Sequence, residues 1–426
     1  MRVKSPRKGA LFLSTVGEGS HPPPRIGATE FVCMMSAFMA LHAFAMDSML
    51  PALPDISKYL SMPHENDLQS IVTVYLIGFG STQVVYGLFS DRYGRRNLIL
   101  LALILYISSS IFALISQSQV EFLMARLLQG ASCAGTVVIS LSIIRDVYSG
   151  RAMSRIMSLV MMVFMMFPVL APSFGLSIIT VFNWRGIFIF LVCLGVGVLL
   201  WSAVRLPETL PRCRRIPLNF SASSKTIRQI LGNRMFLGYM IAQTFALAVL
   251  FTFLTMSGQI FVGVYKVGNS YPIILAVIAL ASSFTSLVNS LLVVSIGMRR
   301  LSHGSIIFFT ICSGILLYLS LGGMVDFWPF VTLCALIMAS FGFMGANFNA
   351  IALEPLGHMA GTASSVIGTL STLGGTLLGL IVGQFFNNTI LPLSVGLTVF
   401  GFGALFAALY AENGALLKEK TKSNGL

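Results

Sequence analysis

Twelve stretches of this chain are apolar for long enough to cross a bilayer, and that property decides most of what the chain can become. They fall at roughly 28–50, 68–90, 97–117, 121–144, 155–180 and 185–204, then at 235–257, 271–296, 302–323, 327–352, 361–384 and 392–412. A helix crosses the hydrocarbon core with about 20 apolar residues. Inside the core there is no water to hydrogen-bond the backbone, so each run must satisfy its own N–H and C=O groups as an α-helix. Charge content agrees: of 426 residues only 10% are charged and 56% are hydrophobic, with a mean hydropathy of +0.87. A soluble domain carries about 25% charged residues. The expected fold class is therefore an all-α membrane protein of twelve transmembrane helices.

The net charge of +13 would suit a nucleic-acid partner, but the charges are placed differently. Arg2, Lys4, Arg7, Lys8 and Arg25 precede the first span. Arg205, Arg212, Arg214, Arg215, Lys225, Arg228 and Arg234 crowd the middle of the chain, and Lys418, Lys420 and Lys422 follow the last span. Of 27 Lys and Arg, only Lys58, Arg185 and Lys266 fall in the opposite set of loops, and Arg126 lies within a span. Lys and Arg are retained on the cytoplasmic side, so both termini and the central segment are expected there, with no nucleic-acid partner. This divides the chain into a flexible tail 1–26 (His21-Pro-Pro-Pro24 breaks any helix there), a six-helix bundle 27–204, a linker 205–234, a second bundle 235–412 and a tail 413–426. None of the six cysteines forms a CxxC pair, so neither a disulfide framework nor a metal site is expected, and no cofactor is called for.

Between the second and third spans runs Gly87-Leu-Phe-Ser-Asp-Arg-Tyr-Gly-Arg-Arg96. So short a connection makes its flanking helices antiparallel neighbours. Gly87 allows close helix approach and Gly94 a tight turn. Asp91 lies where a helix end and Arg92, Arg95 and Arg96 can hold it, which suits a charged latch; an ordinary basic turn is the plainer alternative. The halves share a faint symmetry. Gly297-Met-Arg-Arg300 is a worn counterpart of Gly94-Arg-Arg96, and Glu354 to Gly361 matches Asp146 to Arg151. Paired bundles of this kind place a substrate site between them near the midplane.

Polar residues inside the spans are the candidates for chemistry. Asp47 lies in the first run, where a carboxylate is costly and should face protein or a watery cavity; with Pro51 one turn on, an interfacial position is the alternative. Glu30, about 25 Å away along a helix, reads as a solvated interface residue. Arg126 approaches the depth of Asp47 from an antiparallel helix. Burial opposes the carboxylate's charge and a guanidinium favours it, so the two form either a proton-coupling pair or a static ion pair. Gln129 shares the face of Arg126. Phe44, Gln129, Gln243 and Asn347 are the candidate substrate contacts, although Gln243, Asn289, Asn347 and Asn349 equally suit helix–helix hydrogen bonding. His42, off the Asp47 face, reads as packing or a relay. Pro168 and Pro172, with Gly175, would free backbone carbonyls and bend the fifth helix, giving a hinge or a fixed kink.

The Gly87–Arg96 loop closely resembles that between helices 2 and 3 of the major facilitator superfamily, and Arg126-Leu-Leu-Gln-Gly130 its fourth-helix arginine motif. The Asp47 segment, Arg145-Asp146, Pro168-x2-Ala-Pro172 and Gly361-Thr-Ala-Ser364 resemble the bicyclomycin-resistance group of drug/proton antiporters. The fifth helix carries proline and alanine where the wider antiporter pattern has glycines, in keeping with that group. The resemblance implies export of small lipophilic antimicrobial compounds across the bacterial inner membrane, driven by protons, by a monomeric carrier. The competing readings are export of one metabolite such as a siderophore or peptide, and proton-coupled uptake or uniport. GxSxG, HExxH and Walker A spacings are absent from the sequence, which disfavours an enzyme or an ATP-driven pump. Single cysteines placed in each loop of a cysteine-free variant should label from outside intact cells beside Lys58, Arg185 and Lys266, and not in the central segment. Outside labelling of residues 205–234 would overturn the topology.

Overall fold

The computed structural model describes residues 27–61, 67–148, 150–215, 220–323 and 325–417; the expected N-terminal tail 1–26 lies outside them. Twelve long helices follow one another. The first six are α1 (Ala28–Asp47), α2 (Asp67–Tyr93), α3 (Arg95–Ile115), α4 (Gln119–Val147), α5 (Gly150–Val181) and α6 (Arg185–Arg205). The second six are α7 (Arg234–Gly258), α8 (Tyr271–Ile296), α9 (Met298–Leu321), α10 (Phe327–Leu353), α11 (Ala360–Gln384) and α12 (Leu391–Ala411). Among the described residues eleven spans are long and apolar enough to cross a membrane. The twelfth helix, α5, has 32 residues and runs helical through both prolines, about 48 Å at 1.5 Å per residue.

Helix starts differ most from expectation where polar residues open a span. α9 begins at Met298, four residues before the expected 302, because Arg299, Ser302 and His303 are buried and bonded rather than looped in water. Gly94 and Gly297 precede α3 and α9 with φ of +95° and +91°, a conformation that glycine alone adopts freely. The two interhelical turns thus share one geometry. Outside the long helices, a short helix at Leu53–Tyr59 follows α1, and Gln259–Val264 continues α7 as a π-helical turn. The linker carries a helix at Phe220–Leu231. Its Ile227, Ile230 and Leu231 pack on the core, so the segment lies against α7 and α11.

Packing repeats between the halves. α1 meets α4, α5 and α6, α2 meets α4, and α3 meets α4 and α6; six positions later in the helix order, α7 meets α10, α11 and α12, α8 meets α10, and α9 meets α10 and α12. Two six-helix bundles result, joined along two seams, α2 against α11 and α5 against α8. Small residues set the closest contacts within a bundle. A Cβ added to Gly130 of α4 would lie 1.9 Å from the Tyr75 carbonyl oxygen of α2, so the backbones touch there. Gly130→Ala is expected to cost about 1–3 kcal/mol by overpacking and to lower the thermal midpoint of purified protein. Gly304→Ala, whose added carbon meets nothing within 4 Å, should leave it unchanged. Equal midpoints would contradict this packing.

Candidate functional site

Each bundle is tied by one buried arginine at the end where the linker lies. Arg95, in the first turn of α3, bonds Asp91 of α2 at 2.7 Å and Asp146 of α4 at 2.9 Å. Its backbone N–H donates to Glu208 Oε1 at 2.9 Å, so a linker carboxylate caps the positive end of α3. Asp91 is 45% exposed and Arg95 only 8%. An exposed ion pair contributes about 0.2–1 kcal/mol, which makes the Asp91 arm easy to break and remake. Gly87 faces Ser365 of α11, whose Oγ would lie 2.7 Å from an added Cβ. Arg96 donates to the Ala203 carbonyl at the end of α6, at 2.7 Å, while Arg92 lies over the Tyr93 ring. A cavity of about 230 Å³ opens here, among Asp91, Arg95, Arg145, Asp146 and Thr362.

The second bundle repeats the arrangement. Arg299 bonds Glu354 at 2.7 Å and Glu412 at 2.8 Å, in the places of Asp146 and Glu208. Its Glu354 arm is 51% exposed, much as Asp91 is in the first clamp, while Glu412 is buried. Glu412 also accepts from Tyr239 Oη at 2.8 Å. The Leu417 N–H donates to His303 Nδ1 at 3.1 Å. Nδ1 is then the unprotonated nitrogen, and Nε2–H faces the Tyr239 oxygen at 2.8 Å.

Arg126 is wholly buried. Its Nη1 donates to the Ala45 carbonyl at 3.0 Å and to Gln129 Oε1, and its guanidinium stacks over the Tyr75 ring at 4.3 Å. The expected ion pair with Asp47 is not formed; among the described residues no carboxylate lies within 4.0 Å of Arg126. Ala45 and Asp47 are two residues apart on a helix and face different ways, so an arginine that holds the first does not face the second. A buried charge without a counter-ion costs several kcal/mol. The ring face offsets about 2 kcal/mol of that when desolvated, and the two hydrogen bonds about 1.5–3 kcal/mol each. Gln129 passes the network on to Ser110 of α3 at 2.7 Å, and the Tyr75 hydroxyl lies 2.9 Å from His42 Nδ1. Arg126 and Gln129 therefore bind α1, α2, α3 and α4 to one another inside the first bundle.

Asp47 is the last residue of α1 and is 6% exposed. No basic side chain among the described residues pairs with it within 4.0 Å. Phe44 packs with Phe167, Phe174 and Phe190 of α5 and α6, ring centroids 5.5, 6.0 and 5.5 Å away. Asn347 pairs with Asn289 of α8 at 2.8 Å, a helix-joining contact. The Gln243 Oε1 is buried with no hydrogen-bond partner. Pro172 and Gly175 are buried, and Gly175 rests on the Ser48 carbonyl just past α1; the Pro168 side chain lies outside the described residues. Glu30, expected in solvent, is gripped through both oxygens by Arg205 at 2.8 and 2.7 Å.

Sequence reasoning passed over the contacts between bundles. Gln69 of α2 donates to Gln259 at 2.6 Å and to the Gly383 carbonyl of α11 at 3.2 Å. Gln83 Nε2 reaches Thr372 at 3.2 Å, and the Val84 N–H reaches Thr369 at 3.2 Å. From Gln69 to Gly87 this seam runs about 27 Å, nearly the bilayer's hydrocarbon thickness. Isolated glutamines in an apolar run were a usable signal, as they were for Gln243. Tyr75 and Glu208 carried none, since one resembles core filling and the other a linker charge.

These are the features of a two-bundle carrier, and the comparisons with known proteins agree. The profile of the Major Facilitator Superfamily matches residues 35–379. A bicyclomycin resistance protein homolog of Haemophilus influenzae is 28% identical over 364 residues, covering 85% of this chain and 91% of that protein. The multidrug resistance protein MdtL of Escherichia coli is 28% identical over 351 residues, covering 82% and 87%. The solved xylose transporter XylE of E. coli, in a partially occluded inward-open conformation, superposes with a TM-score of 0.69 at 11% identity, covering 94% of this chain and 99% of that one. This chain belongs to the Major Facilitator Superfamily. It is a multi-pass membrane transporter.

Proposed function

We propose that this protein exports small lipophilic antimicrobial compounds across the bacterial inner membrane in exchange for protons, with both termini in the cytoplasm. The observation that carries the coupling is Asp47, a carboxylate buried at the end of α1 with no salt bridge among the described residues. The names of the resistance-protein relatives support the substrate class. Burial disfavours a carboxylate's charged form, so Asp47 exchanges a proton according to which side its surroundings open toward. Open to the acidic outside, it takes up the proton and substrate leaves. Open to the cytoplasm, it gives the proton up and substrate rebinds.

Arg126 has a positioning role in this scheme. It holds the end of α1 by the Ala45 carbonyl and so fixes where Asp47 stands. Both hydrogen bonds come from Nη1, so Arg126→Lys would lose chiefly the flat guanidinium that stacks on Tyr75. Gln243, with its open acceptor, is the candidate that contacts substrate most directly; Phe44, Gln129 and Asn347 shape the walls. The Asp91 arm, the Gly87 contact and the Pro168–Gly175 segment govern the balance of conformations.

Drug binding measured against pH in detergent, wild type beside Asp47→Asn, tests the coupling. The variant is expected to fold, to bind drug with no dependence on pH between about 5 and 8, and to lose proton-driven efflux. A variant that kept the wild-type pH dependence and still released protons on binding drug would make Asp47 structural.

A further inference from the structure

The outer face of the second bundle carries a groove that the transport scheme leaves unused. α9 packs on α8, α10 and α12 and so stands at the periphery. Between α8, α9 and α10 lies a groove of about 450 Å³, walled by Gly304, Phe308, Leu336, Ala339 and Phe343, with Arg300 at one end. Phe308 and Leu336 are exposed. At Gly304 an added side-chain carbon would meet nothing within 4 Å, and the absence of a side chain there keeps the groove open.

The polar atoms of the groove are already committed. Thr285 Oγ1 donates to the Ala339 carbonyl at 2.6 Å, Ser305 to that of Ser340 at 2.8 Å, and Ser340 to that of Leu336 at 3.1 Å. What remains is a hydrocarbon wall with one cation at its mouth. A pocket that orients a drug-like molecule needs a few convergent polar groups along its wall, and here the wall has none to offer.

Arg300 differs from its neighbour. Arg299 turns inward to Glu354 and Glu412, whereas Arg300 is exposed and no carboxylate among the described residues pairs with it within 4.0 Å. It stands in the first turn of α9, at the membrane end rich in basic residues. Phe308 is eight residues further along, about 12 Å into the hydrocarbon. Basic pockets between helices at the cytoplasmic surface attract anionic lipid headgroups.

We propose that this groove holds an acyl chain of an anionic phospholipid of the cytoplasmic leaflet, with the lipid phosphate on Arg300. The site is separate from the transport path, and its occupancy does not depend on which compound is carried.

Native mass spectrometry of the purified full-length protein, titrated separately with dioleoyl phosphatidylglycerol and dioleoyl phosphatidylethanolamine, tests the assignment. Wild type is expected to take up the first phosphatidylglycerol roughly fivefold more tightly than phosphatidylethanolamine, the scale of a single basic side chain at a lipid surface. Arg300→Gln should erase that preference, and Gly304→Trp should weaken the binding of both lipids. Arg300 is exposed and makes no ion pair, so its variant keeps the test open even if Gly304→Trp fails to fold. Equal affinity of wild type for the two lipids, or an unchanged preference in Arg300→Gln, would overturn the proposal.

Discussion

The structure depends on two arginines held by carboxylates at the same end of the molecule. Arg95 gathers α2, α3, α4 and the linker through Asp91, Asp146 and Glu208. Arg299 gathers α9, α10 and the segment after α12 through Glu354 and Glu412. Removing one partner of a buried, hydrogen-bonded pair such as Arg95–Asp146 or Arg299–Glu412 costs about 3–5 kcal/mol, so each clamp firmly ties the helix ends it touches. Motion is left to the seams. These are built of weaker material, namely glutamine and threonine hydrogen bonds from Gln69 to Val84 and the glycine contact at Gly87. Neutral hydrogen bonds contribute about 0.5–1.5 kcal/mol each, small enough to exchange during a transport cycle.

The two clamps share a design. Each has one exposed arm, Asp91 in the first and Glu354 in the second. Asp91 lies beside the α2–α11 seam and the cavity lined by Thr362, so its charge stands at that end of the seam. Inside the first bundle, Arg126 fastens the end of α1 through Ala45, two residues from the buried Asp47. In the proposed scheme the proton on Asp47 acts at a helix end that the arginine holds in place.

Much of this was legible in the sequence because lipid and charge leave few choices. Apolar length gave the twelve helices, and Gly94 and Gly297 marked two turns that proved alike in backbone geometry. Asp146 and Glu354 were matched by position alone, and each bonds the arginine of its own half. Tertiary chemistry was less accessible. Depth counting brought Asp47 and Arg126 to one level but could not say which face of α1 the guanidinium would meet. The start of α9 was misplaced because hydropathy counts Arg299 and His303 as watery when carboxylate and tyrosine partners bury them. The helix at Phe220–Leu231 was hidden by its polar residues, since only a few of its positions touch the core.

The central claim is that two rigid bundles rock about their seams as the proton and the substrate exchange. Pulsed electron–electron resonance in nanodiscs measures this most directly, with nitroxide pairs at exposed positions. Tyr93 and Ser295 report across the bundles at the linker end, Val120 and Phe385 across them at the other end, and Tyr93 and Val204 within the first bundle. Lowering the pH from about 8 to about 5, the span over which a buried carboxylate can titrate, should change the two cross-bundle distances in opposite senses. The within-bundle distance should stay fixed. Cross-bundle distances that do not respond, or a within-bundle distance that changes as much as they do, would contradict the account.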